Sequence, residues 1–339
     1  MSVLHICNTF FERELETASV RPLADWMRSQ PIVLQLQFLP LLYADLQDSI
    51  LVSDLPPNPD PRLSLLDSPP SGPIEHWGPS RAIAAWAKKH SIDYTISDWE
   101  IVQRINSKIF SFSESPKLPG AALLATESEA AAWIEHTPGP KVLKTAFGTA
   151  GTGHFHIRVK GKDPNLAAYL KRQFDQKLPV IGEPWVERLF DFSTQWLLGE
   201  SIELLGATRF ENAPNGQYLA TIAGETSFGW ELEEHLAIAK PLLKKIARLG
   251  FSGNLGIDAF VYHSEGKEKL HPIVEINGRK TMSWAALQIQ RKKHPGGTLR
   301  FFFSKGSEGL LPKTLNVKGK TISFPYQLSC KALHSPSPK

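Results

Sequence analysis

Two short runs decide the fold: Gly256-Ile257-Asp258-Ala259-Phe260-Val261-Tyr262 and Pro272-Ile273-Val274-Glu275-Ile276-Asn277-Gly278-Arg279. Strands are expected over Ile257 to Tyr262 and Pro272 to Ile276, because both runs are apolar with polar residues recurring at a period of two. The polar connection from His263 to His271 makes them plausible antiparallel neighbours. Alternation then sends Glu275 and Asn277 to one face and Val274 and Ile276 to the other. Asp258, set between Ile257 and Ala259, brings a third oxygen ligand to the same surface. Solvent-facing strand residues are the plainer explanation of any single carboxylate. Two carboxylates and an amide embedded in apolar strands are costly to bury unpaired, which favours a cation among them. Hard oxygen donors of this kind suit Mg2+ (or Mn2+), which keeps part of its water shell and bridges nucleotide phosphates. Arg279, next along, is a fork suited to a carboxylate or phosphate.

Upstream, Lys141 to Thr145 reads as a strand feeding the loop Ala146-Phe147-Gly148-Thr149-Ala150-Gly151-Thr152-Gly153-His154, with a returning strand from His156 to Val159. Gly148, Gly151 and Gly153 let backbone N–H groups approach a polyphosphate, and Lys144 on the feeding strand supplies the charge. A simple hairpin turn accounts for the same glycines. No Gly-Lys-Ser/Thr closes the loop and no GxGxxG opens a helix, which disfavours a P-loop and a dinucleotide site. Between a helix expected over Asp163 to Gln176 and a following strand lies Glu183-Pro184-Trp185-Val186-Glu187-Arg188, then Asp191. Such a segment can offer backbone groups to an adenine edge and an acid to ribose hydroxyls; a loop salt bridge is the plainer alternative. Helices are expected over Ser128 to His136 and over Glu231 to Leu249, the latter closed by Gly250. Further strands are expected over Gln195 to Leu198, Glu203 to Thr208 and Gln217 to Ile222.

The texture of residues 1–105 differs. Val3 to Cys7, Pro31 to Phe38 and Ile92 to Ile96 read as strands, Glu12 to Leu15 as a helix start, and Ser80 as the N-cap of a helix running to His90. Seven prolines between Pro56 and Pro73 argue for a long surface loop there. These pieces suggest an open α/β domain. From Thr298 onward the chain reads as an irregular basic extension, where Lys305, Lys313, Lys318, Lys320, Lys331 and Lys339 face only Glu308.

At 339 residues, 42% hydrophobic and 21% charged, the chain has the length for about two domains and the composition of a globular protein. A net charge of +4 is far too small for a dedicated nucleic-acid binder. Cys7 and Cys330 have no metal-type spacing and suggest no disulfide framework. The most apolar stretch, Pro31 to Leu42, falls short of a membrane span, and no basic region precedes the first apolar residues. A cytoplasmic location with no membrane partner is expected.

The order Lys108, Lys144 with its glycine loop, Glu183 to Asp191, Asp258, then Glu275, Asn277 and Arg279 resembles the ATP-grasp superfamily over about residues 106–300. The resemblance implies an α/β chain: an N-terminal open α/β domain (1–105), then a two-lobed α+β ATP-grasp unit (small lobe about 106–185, large lobe about 186–300), then the extension 301–339. It implies ATP and Mg2+ as cofactors. Lys108 and Lys144 match the lysines on the phosphates, and Gly148, Gly151 and Gly153 match the loop closing over them. Glu183 with the backbone of Trp185 and Val186 matches the adenine hinge, and Asp191 takes the ribose position. Asp258, Glu275 and Asn277 match the metal ligands, and Arg279 resembles the arginine that holds a substrate carboxylate or its phosphate. The implied reaction is ADP-forming carboxylate–amine ligation through an acyl phosphate, with small-molecule carboxylate and amine substrates. A silent nucleotide-binding regulator and a small-molecule kinase are the alternatives. Oligomeric state stays open, a homodimer included. Two departures stand out: Gly256 occupies a position where several peptide-forming members place an arginine, leaving the oxyanion contact to Arg279 or Arg209. Ser283 and Trp284 stand where carboxylase-like members carry an acidic base.

Overall fold

The two strands read first form a hairpin in the computed structural model, which describes residues 2–148, 153–158, 164–213, 216–224, 227–306 and 308–333. Gly253–Ser264 runs antiparallel to Lys267–Asn277, with Asp258 opposite Glu275 and Gly256 opposite Asn277. The strands extend further than their apolar cores, leaving a two-residue turn, Glu265-Gly266, with φ of 55° and 71°. Positive φ at both positions matches the twist of a hairpin, and glycine tolerates it without steric cost.

This hairpin begins a seven-stranded antiparallel sheet that continues through Arg188–Leu198, Ile202–Asn212, Tyr218–Ala223, Thr298–Lys305 and Tyr326–Leu333. One face packs on the helix Trp230–Arg248, whose Ala239, Leu242, Leu243 and Ile246 meet Trp196, Leu255, Ile257 and Ile276. Gly250, with φ 98°, follows its end as expected. Against the other face lies the helix Met282–Lys293, which buries Trp284, Ala285, Ala286 and Ile289 with Ala223, Leu299 and Phe301.

A second antiparallel sheet of four strands, in the order Ala122–Leu124, Val180–Pro184, Lys141–Lys144, His154–Ile157, carries the helices Glu127–His136 and Pro164–Asp175. The first region holds a four-stranded parallel sheet, Leu63–Leu65, Ser49–Val52, Leu4–Ile6, Ile74–His76. Lys280, 1% exposed, ties this sheet to the large one by pairing with Glu75 while its ammonium lies 4.2 Å from the Trp284 ring centroid. Among the described residues no helix is long and apolar enough to cross a membrane.

Several expectations are corrected. Pro31 to Phe38 is not a strand: Pro31–Leu36 is an α-helix with proline in its first turn, where the missing N–H costs nothing, and a 3-10 turn over Leu39–Leu42 follows. Ile92 to Ile96 forms no strand either. The helix Arg81–Lys89, capped by Ser80 as expected, ends with Ser91 at φ 57° and Ile92 N–H donating to the Ala87 carbonyl, a Schellman closure that uses up this segment. The proline-rich stretch contains one short strand, Leu63–Leu65, in its proline-free middle. Thr298 onward is not irregular: Thr298–Lys305 and Tyr326–Leu333 complete the large sheet, and Thr314–Val317 pairs with Lys320–Ser323. Inward positions such as Phe301 and Leu328 are fully buried, while lysines line the outside.

Leu328→Ala is therefore expected to cost about 2–5 kcal/mol of unfolding free energy by leaving a cavity beside Phe301. Urea denaturation measures it, and an unchanged midpoint would show that the last strand lies outside the cooperative fold.

Candidate active site

Across the large sheet, register aligns Glu275, Asp258, Ser193 and Thr208 in one row, and Asn277, Gly256 and Gln195 in the next. Because directly paired residues share a face, the sequence alternation around Asp258 and Glu275 becomes a polar surface. Asp258 accepts from Ser193 Oγ at 2.7 Å and from Asn277 Nδ2 at 3.2 Å. Ser193 accepts from Gln195 Nε2 at 2.8 Å, and Gln195 Oε1 accepts from Thr281 Oγ1 at 2.8 Å. A Cβ at Gly256 would meet Thr281 and Gln195 at 2.9–3.2 Å, so this Gln195–Thr281 contact fills the space over position 256.

Lys108 reaches this surface. Lys108, the first residue of the helix Lys108–Glu114, donates to Glu275 Oε1 at 2.6 Å and to the Gly148 carbonyl at 3.0 Å. Its helix is held to the strand below by Ile276 N–H donating to Ser111 Oγ, and Gly278 N–H donates to Asn106 Oδ1 at 2.8 Å. A Cβ at Gly278 would clash with Ile105 and Asn106 at 2.7 and 2.8 Å, so glycine permits this approach. Lys144 pairs with Glu183 Oε2 at 2.5 Å, both nearly buried. Lys108, Lys144, Glu183, His271 and Ile273 line one cleft. His154, at the loop's exit, is pushed down to about 3 by burial and by the Lys144 and Lys108 charges, and is neutral.

Electrostatics differ between the acids. Burial and then the Glu275 charge raise Asp258 to about 7. Burial also opposes charge on Glu275 and Glu183, but the ammonium groups of Lys108 and Lys144 respectively outweigh it and hold both below the ordinary carboxylate range. Two adjacent acids, one of them half-protonated near neutrality, are a donor set lacking positive charge, which fits a divalent cation. Among the described residues no group of three or more His, Cys, Asp or Glu side chains is placed for a metal, so an ion here would need Asn277, water and phosphate oxygens besides the two acids. Asn277 Oδ1 presently accepts from Arg279 Nη2 at 3.0 Å and would have to be shared.

The remaining expected residues are spread along one edge. Trp185 N–H already donates to the Pro140 carbonyl at 2.9 Å, leaving its carbonyl and the Val186 backbone for a ligand. Asp191 lies on the polar face opposite Phe260 and accepts from Arg188 Nη1 at 2.6 Å. Arg188 lies 4.1 Å from the Phe260 ring centroid and 5.3 Å from that of Trp185. Gly148 and Gly153 border the loop, both at positive φ (143° and 80°), and Gly151 lies outside the described residues. Arg209 is not a neighbour of Arg279: its register with Phe192 places it on the opposite face, over Phe190 and Phe228. Sequence reasoning missed Ser193 and Gln195, although they continue the alternation begun at Asp191. It also missed Glu12, whose carboxylate contacts Arg279 Nη2 and which no local pattern marks.

No family description and no curated protein matches the sequence. Solved structures do match. Phosphoribosylamine–glycine ligase from Thermotoga maritima aligns with a TM-score of 0.59 at 12% identity, over 97% of this chain and 92% of that one. L-amino acid ligase from Bacillus licheniformis aligns at 0.54 and 12%, over 99% and 94%. N5-carboxyaminoimidazole synthetase from Staphylococcus aureus, complexed with ADP, aligns at 0.51 and 13%, over 90% and 82%. The protein thus has the ATP-grasp fold, as the resemblance implied.

Because Asp258 takes its proton near pH 7 when folded and near its ordinary 3.8 when unfolded, the folded chain binds the extra proton between those values. Without divalent ions this group's contribution to stability falls as pH rises from about 4 to 7. Asp258→Asn is expected to remove that slope, so its gain over the parent is larger at pH 8 than at pH 5 in metal-free denaturation; equal gains would refute the raised proton affinity.

Proposed function

We propose that the protein is an ATP- and Mg2+-dependent, ADP-forming carboxylate–amine ligase. The observation that carries the reading is the Lys108 ammonium bridging Gly148 of the glycine loop and Glu275 of the Asp258–Glu275–Asn277 surface. It joins a phosphate-type loop to a cation-type donor set beside the cleft that Lys108 and Lys144 line. The ATP-grasp fold and neighbours whose names are ligases support the same class.

In this reading Asp258, Glu275 and Asn277 hold Mg2+, which when bound neutralises the terminal phosphates. Lys108 and Lys144 leave their carboxylate partners for phosphate oxygens, an exchange of one ion pair for another that keeps each ammonium neutralised. Trp185 and Val186 offer backbone groups to adenine, with Glu183 beside them and Asp191 at the ribose. Arg279 holds the substrate carboxylate so that its oxygen attacks the γ-phosphorus and ADP leaves. An amine then attacks the acyl carbon, phosphate departs, and the amine gives up its proton. Positioning and charge neutralisation suffice, with no nucleophilic side chain. Closure over Gly148 and Gly153 would keep water from the acyl phosphate. A cytoplasmic setting and small-molecule partners accompany the proposal.

ADP release tests it on addition of pooled amino acids and small carboxylates. Glu275→Gln is expected to lower the Mg2+-dependent rate at least about a hundredfold while the chain stays folded. An unchanged rate removes the metal assignment, a phosphorylated stable product points to a kinase, and no stimulation by any acceptor points to a binding protein.

Lys144→Met strands a buried Glu183 and is expected to cost about 3–5 kcal/mol in stability. Adding Glu183→Gln should restore stability, read by denaturation, but not affinity for an ATP analogue, read by calorimetry. Recovery of affinity would show that Lys144 serves only the fold.

A further inference from the structure

The Arg279–Glu12 ion pair joins the first region of the chain to the strand of the proposed metal ligands, and the reaction sketched above leaves Glu12 without a role. Both side chains are largely buried, at 14% and 13% exposure. Glu12 sits on the short helix Phe11–Leu15, which is fixed on both sides. Phe11 is buried with Val102, Ile105 and Trp196 in the core of the large sheet. Glu14 accepts from Ser80 Oγ at 2.6 Å and from Ala82 N–H at 3.0 Å. Glu12 is therefore a preorganised carboxylate, not a surface charge that drifted onto an arginine.

Arg279 is itself held by other contacts. Nη1 donates to the Lys280 carbonyl at 3.0 Å and Nη2 to Asn277 Oδ1 at 3.0 Å, while Glu12 approaches Nη2. Nε is buried and has no hydrogen-bond partner. The Nε–Nη2 edge is thus half used, although a guanidinium edge takes two carboxylate oxygens side by side. A ligand carboxylate on that edge would satisfy Nε and displace Glu12 from Nη2. The displaced Glu12, little exposed, would then be a buried anion without a partner, which costs far more than a rim charge. A plain carboxylic acid leaves that defect. A molecule carrying a carboxylate and an ammonium group on the same carbon atom removes it, since each charge meets its opposite when it enters between the two side chains.

We propose that the Arg279–Glu12 pair is the docking point for a zwitterionic α-amino acid, Arg279 taking its carboxylate and Glu12 acting as the specificity-determining residue that takes its ammonium group. The inference rests on the ligase reading and narrows its substrate class.

The test is thermal-shift titration of the full chain, with Mg2+ and a non-hydrolysable ATP analogue present. The ligands are the proteinogenic amino acids and, for each that binds, its des-amino acid (acetate for glycine, propionate for alanine) and its N-acetyl derivative. Each comparison holds the carboxylate constant, so any relief of Arg279 by mutation affects both partners alike and the ratio isolates the ammonium. At least one amino acid is expected to bind about tenfold or more tighter than either derivative, the worth of one charge-assisted contact. In Glu12→Gln and Glu12→Ala the ratio should fall close to one. A ratio of one in the parent chain overturns the proposal without recourse to any variant, and an undiminished ratio in both variants assigns the ammonium to another residue and overturns it too. If the ATP analogue shifts the melting temperature but no amino acid does, the nucleotide reading stands and this inference falls. If the analogue produces no shift, the ligase reading falls and takes the inference with it.

Discussion

One ammonium group, on Lys108, organises the cleft. It lies at the start of a helix anchored to the strand Lys267–Asn277 through Ser111, and it touches Gly148 on one side and Glu275 on the other. Without it, Glu275 and Asp258 would be two paired acids on a partly buried row, each opposing ionisation of the other. With it, Glu275 ionises and the shortage of positive charge is concentrated on Asp258. The polarity of the row from Thr281 to Asp258 and the approach of the glycine loop both depend on that arrangement.

The same device recurs twice. Lys144 rests on Glu183, and Arg279 rests on Glu12. Every cation proposed to meet phosphate or carboxylate is stored on a carboxylate of the protein. Desolvated charges left bare would destabilise the nucleotide-free fold by several kcal/mol each. Stored pairs avoid this in the nucleotide-free fold, and an exchange keeps its net cost low only where the released carboxylate also finds a cation, as proposed for Glu275 with Mg2+ and for Glu12 with a ligand ammonium group. The three acids come from different parts of the fold: the large sheet, the four-stranded antiparallel sheet and the first region. Ligand binding would thus loosen and remake contacts between all three.

Where sequence reasoning erred, long-range packing overrode local pattern. Pro31 to Phe38 is apolar apart from Gln35 and Gln37, and a run of that length is equally consistent with a buried strand or a buried helix turn; as a helix it packs Val33 and Leu34 against different core clusters, and Gln37 just past its end accepts from Ser53 N–H. The tail after Thr298 looked irregular because its lysines dominate the composition, while its alternation of buried Phe301 and Leu328 with outward residues has meaning only beside Tyr218–Ala223. Ser193 and Gln195 needed the register with Asp258 before their polarity became significant.

The sequence by itself determined the alternation that places Glu275 and Asn277 on one face, the lysine before the glycine loop, the helix caps at Ser80 and Gly250, and the order of motifs that resembles ATP-grasp proteins. These are local properties, written in periods of two and in single residues with restricted backbone freedom. Only the tertiary structure decided which charge rests on which. Lys108 and Glu275 are 167 positions apart, and the Glu12–Arg279 pair is still more distant in sequence. Coulomb attraction acts through space and burial sets its strength, so no stretch of chain read alone discloses the partner.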